Sequence, residues 1–177
     1  MPKNAPAKAA KSNGSVKKLR KLMRDIRTAM LTTVARDGSL HSRPMMTSDV
    51  EFDGNLWFIA SAASGLAQEV AANPNVNVSY SNPKNDRYIS VTGSATLVRD
   101  EARLRDLWSG KHKAWFREGK KDPDLTLLRI DVHFAEYWDA SADGVQLAHF
   151  VRQDAEPPDP AASLPGTEDN TGAGAQG

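Results

Sequence analysis

Between residues 29 and 138 the chain places six β-rich runs, separated by tight turns and by only two short helical stretches. The runs cover 29–35, 40–52, 55–61, 76–80, 88–98 and 125–138, each bounded by residues that favour turns. Arg36-Asp37-Gly38-Ser39 reads as a hairpin turn between the first two runs, and Asp53-Gly54 is a second tight-turn signal. Long helices never alternate with the strands, so a doubly wound parallel sheet is excluded. A small antiparallel barrel is the closed solution for six such strands. Gly93 inside the fifth run predicts a bulge or a close backbone approach.

The helical stretches are short. Leu19, Leu22, Met23 and Ile26 recur at helical spacing after Ser15, with a basic face opposite. Residues 64–72 form a second helix, stopped by Asn73-Pro74, and Asp100 caps a third that runs through Leu104, Leu107 and Trp108.

With 177 residues the chain holds one ordinary domain, and charge is distributed unevenly along it. Residues 1–24 carry +8, residues 25–151 carry −3 and residues 152–177 carry −4. The expected organisation is a disordered basic arm over 1–14, the barrel over 15–140 and a largely disordered Pro/Ala/Gly/Asp-rich tail over 141–177. A mildly acidic body argues against specific nucleic-acid binding, which the basic arm alone would support without specificity. The basic N-terminus lacks the apolar segment of a secretory signal, and no apolar run is long enough for a membrane helix. There is no cysteine, which removes disulfides, thiolate metal sites and cysteine nucleophiles together. The expected compartment is the cytoplasm, and no membrane partner is expected.

Few residues carry chemistry on their own. His41, His112, His133 and His149 show no ligand-pair spacing, and no metal site is expected. Arg43 sits within the second strand, where it is either outward-facing, salt-bridged or presented to an anionic ligand such as a phosphate. Ser64, at the start of the second helix, sets a hydroxyl beside free backbone N–H groups, an arrangement suited to phosphate.

The ordered set is more specific than any member. Residues 28–34, Asp37-Gly38, Ser42-Arg43-Pro44-Met45, Leu56-Trp57-Phe58, Ser64, Asn73-Pro74, residues 76–80, Val91, Gly93 and Ala95, Trp115-Phe116, Gly119, Asp122-Pro123 and residues 135–139 follow one another at consistent spacing. This set, over about 17–140, resembles the general stress protein 26-like branch of the pyridoxamine 5'-phosphate oxidase-related FMN-binding proteins.

The resemblance implies a six-stranded split β-barrel of Greek-key type, forming a homodimer with FMN in a groove between subunits. It implies that Arg43, Pro44 and Met45 line the flavin, with Arg43 facing phosphate or ribityl. It implies that the backbone of Ile59, Ala60 and Ser61 runs along the isoalloxazine, and that Ser64 bonds the phosphate. Trp138 is the first choice for a ring stacking on the flavin from the second subunit. The branch usually has a lysine two positions after that serine, whereas this chain has Leu66. Either another cation substitutes, with Lys84, Arg87 and Arg129 as candidates, or FMN binds weakly, or the ligand differs, as with the deazaflavin F420 of related split barrels. The functional expectation is a flavin-dependent oxidoreductase of unknown substrate with no assignable acid–base residue. Its alternative is a non-catalytic flavin-binding module. Trp108, Trp115, Phe116, Tyr137 and Trp138 exceed what one small core readily hides, which suggests a subunit interface.

Overall fold

The computed structural model describes residues 12–47, 52–116, 118–140 and 146–151. Among the described residues the α-helices and strands succeed one another as α1 (Ser12–Met23), β1 (Thr28–Val34), β2 (Leu40–Met46), β3 (Asn55–Ser61), α2 (Gly65–Ala72), β4 (Asn75–Asn82), β5 (Arg87–Val98), α3 (Glu101–Leu107), β6 (Leu125–Asp139) and β7 (Gln146–Val151), with short 3-10 turns between some of them. All six expected strands form. The seventh, β7, falls inside the segment expected to be tail, and the rest of that tail and most of the N-terminal arm lie outside the described residues.

All pairings are antiparallel, in the order β2-β1-β4-β5-β6-β3, with β7 added on β6. The 15-residue β6 organises the sheet. One of its edges pairs β5, while the other carries β3 opposite residues 125–131 and β7 opposite 134–139. β2 and β3 end the strand order, and among the described residues they approach each other without a ladder. That seam splits the barrel.

Alternation decides which side each residue takes. On β1 Ala29, Leu31 and Thr33 are buried while Thr28 and Met30 are exposed. Leu31, Val78, Val91, Leu128, Ile130 and Val132 meet inside, and Leu19 and Leu22 of α1 close one side. Each such side chain contributes roughly 1.5–3 kcal/mol when fully buried. The turn after β1 needs Gly38, whose φ is 82°, and Asp37 accepts from both the backbone N–H and the hydroxyl of Ser39.

A second apolar cluster covers the opposite face of β3 and β6. Ile59, Leu107 and Leu127 are buried there, packed by Trp57, Leu104, Trp108 and Phe116. Trp108 and Phe116 are therefore not surplus rings awaiting a partner subunit, because α3 and the turn after it give them a core within one chain. Tyr137 also has an intrachain role, with the Lys18 ammonium 5.8 Å above its ring. Trp115 remains exposed.

Candidate functional site

The seam acquires its polar groups from strand parity. His41 and Arg43 lie two residues apart on β2, hence on one face, the face on which Met45 is buried. Across the ladder Arg43 opposes Leu31 and His41 opposes Thr33, both fully buried. Arg43 is half-buried at the rim of the core and needs a partner there, while the His41 side chain stays about half exposed.

One carboxylate supplies them. Glu69 on α2 accepts from Thr33 Oγ1, His41 Nδ1 and Arg43 Nη2, each at 2.6 Å. The Thr33 hydroxyl first, then the Arg43 guanidinium and the His41 imidazole, hold its carboxyl down to about 2, against the opposing effect of desolvation. Glu69 is ionised at neutral pH. The cluster joins β1, β2 and α2, and α2 follows β3 in the chain, so this bond set ties the β2 side of the seam to the helix that leaves β3.

Arg43 is thus the salt-bridged arginine among its three sequence readings, with one feature left over. Its second terminal nitrogen, Nη1, is enclosed by protein and has no hydrogen-bond partner. A guanidinium nitrogen is only a donor, so this orphan calls for an acceptor oxygen at the seam.

β3 supplies further donors. Among the described residues its far edge carries no ladder, so alternate backbone groups along Ile59, Ala60 and Ser61 point away from β6. Their side chains are engaged elsewhere: Ala60 in the main core and Ile59 in the second cluster. Ser64 is the N-cap of α2. Its hydroxyl donates to the Ser61 carbonyl at 2.6 Å and accepts from the Ala67 N–H at 3.3 Å.

The remaining sequence candidates divide by face. Pro44 is exposed on the outer face, Met45 is buried on the inner one. Trp138 is half-buried on the outer face, directly opposite Tyr88 of β5. Within one chain it stands four strands from Arg43, roughly 19 Å along the sheet, and on the other face. Leu66 is buried in the main core. Of the substitute cations, Arg129 pairs Asp131 at 3.1 Å and Arg87 donates to the Leu22 carbonyl at 3.4 Å, while Lys84 is exposed in the turn after β4. None of the three joins the Glu69 cluster.

Sequence reasoning missed Glu69 and His41. A signal for Glu69 was present, because Leu66, Glu69 and Val70 share one helix face, and an acid on an apolar stripe requires a partner.

A curled antiparallel sheet, open along one seam between β2 and β3, defines a split β-barrel protein. Residues 14–155 match the family described as pyridoxamine 5'-phosphate oxidase like, and the chain belongs to that family. The General Stress Protein 26 of Bacillus anthracis is similar in structure, with a TM-score of 0.62 at 27% identity, covering 70% of this chain and 92% of that one. The general stress FMN/FAD binding protein of Xanthomonas citri matches with a TM-score of 0.62 at 30% identity, covering 75% of this chain and 93% of the other. Protein bli-3 of Neurospora crassa is 28% identical over 117 residues, 61% of this chain, and the match spans 56% of that relative. The general-stress resemblance seen in the sequence therefore holds.

Proposed function

We propose that this chain binds FMN at the seam and works in the cytoplasm as a homodimeric, flavin-dependent oxidoreductase acting on a small molecule. Family membership and the similarity to an FMN/FAD binding protein support a flavin. The observation that carries the reading to a place is the enclosed, unpartnered Nη1 of Arg43 at the seam. Bound FMN supplies the electron transfer, and the protein supplies binding and orientation. Arg43 Nη1 donates to a phosphate or ribityl oxygen. Backbone N–H groups on the free edge of β3, along Ile59, Ala60 and Ser61, hold the polar edge of the ring system. Ser64 sets the start of α2, whose Glu69 fixes the guanidinium. Pro44 and Trp138 face outward, which suits a role across a subunit interface, with Trp138 of the partner subunit stacking on the ring.

Titrating FMN fluorescence against the purified protein tests this. Arg43→Ala removes one charge-assisted donor, and affinity should fall about tenfold or more, beyond the lowering of the melting temperature that loss of the Glu69 partner brings to a still folded protein. Unchanged affinity would overturn the assignment of Arg43.

A further inference from the structure

Three features at the seam bear on which part of a flavin it recognises. Arg43 and Glu69 form a pair at 2.6 Å, with side chains 25% and 14% exposed. Arg43 and Glu69 bring opposite unit charges, so the pair carries no net charge. Two positions beyond the helix cap, Leu66 is directed into the core and brings no cation. The Ser64 hydroxyl already donates to Ser61 and accepts from Ala67, so its one hydrogen is committed.

We infer that the seam is charge-compensated and recognises the neutral oxygens of a flavin rather than its phosphate, so that riboflavin binds about as tightly as FMN. This rests on the flavin reading above. A phosphate approaching Arg43 meets the guanidinium and, just behind it, a carboxylate whose repulsion offsets most of the attraction. A neutral hydroxyl or carbonyl oxygen meets no such repulsion and still takes the hydrogen bond that Nη1 has to give. Glu69 is then a positioning residue with a specificity consequence. It holds the guanidinium through Nη2 while Thr33 and His41 hold the carboxylate itself, and its charge sets which acceptor is preferred.

The experiment compares riboflavin with FMN, by fluorescence titration, on the full chain and on Glu69→Gln. Glutamine retains an acceptor oxygen for Arg43 or Thr33 and removes the negative charge. In the wild type, FMN and riboflavin should agree within about threefold. In Glu69→Gln, FMN should gain about tenfold while riboflavin stays within about threefold, since only the charged ligand senses the deleted carboxylate. Wild-type FMN binding more than about thirtyfold tighter than riboflavin would overturn the inference and leave the flavin reading standing. If neither flavin binds, the flavin reading itself fails and the inference with it. Should Glu69→Gln fold poorly, the wild-type comparison decides alone. Arg43→Ala then adds a second measure, with equal weakening of both ligands expected and selective loss of FMN contradicting the inference.

Discussion

Gly93 on β5 lies so close to the backbone of Asp131 on β6 that a Cβ at that position would run into the Asp131 carbonyl oxygen. The ladder slips at this point. Thr92 opposes Phe134 and Gly93 opposes Val132, leaving His133 as the extra residue of a bulge. The bulge bends the longest strand between the part that carries β3 and the part that carries β7, and the missing side chain permits the two backbones to approach.

Gly93→Ala should therefore cost about 1–3 kcal/mol, because the obstructing atom is backbone and cannot rotate aside. Urea unfolding measures it. An alanine variant with an unchanged midpoint would show that the strands separate at no cost.

Two groups should shape acid unfolding. Burial lowers the affinity of His112 for a proton, partly offset by its bonding to the Ser109 backbone. The Ser109 N–H donates to its Nδ1 at 3.0 Å, which the neutral ring accepts. Its contribution is full above the ordinary value of 6.5 and is lost as pH falls below it. Glu69, held at about 2 against 4.5, contributes fully above 4.5, and that contribution disappears as pH falls toward 2. Stability measured against pH should decline in both windows. His112→Gln should flatten the upper one and Glu69→Gln the lower, and a slope unchanged in either variant contradicts the corresponding assignment.

The outer face of the sheet exposes Met30 at 42%, Leu40 at 68% and Tyr88 at 40%. Tyr88 is the ladder partner of Trp138, so two aromatic residues stand in register on this face. Tyr88→Lys should shift the proposed homodimer toward monomer in sedimentation, with FMN affinity falling in parallel and the monomer still folded. A dimer unaffected by this substitution would move the interface elsewhere.

Leu66 is 6% exposed and packs in the main core. Placing a lysine there to mimic the usual pattern of the branch would bury part of an ammonium stem and delete apolar contacts. Leu66→Lys should lose roughly 2–4 kcal/mol in thermal or urea unfolding. A variant as stable as the wild type would mean that the side chain can swing outward to the seam.

Much of the fold was legible because local chemistry agreed with the final structure. Strand β3 and helix α3 emerge where spacing and caps place them, with Asp100 accepting from the Arg103 N–H at 2.9 Å. Ser64 caps α2 and Asn73 ends it, as their residue types suggest. Where local signals were weak, boundaries moved. β2 ends at Met46, short of the long strand expected, and β7 went unseen because Gln146–Val151 has no marked alternation and takes its strand form by pairing with β6. The rings of Trp108 and Phe116 read as interface because no local pattern reveals a second core.

By itself the sequence determined the strand and helix succession and the pattern that marks the family. Those follow from period, caps, turns and composition, all of which act over a few residues. Only the tertiary structure decided what Arg43 does. Its partner Glu69 is 26 residues away on another element, and His41 and Thr33 reach the same carboxylate from two strands. A charge becomes a free anion receptor or half of a compensated pair according to what the fold sets within 3 Å of it, and no property of residues 42–45 carries that information.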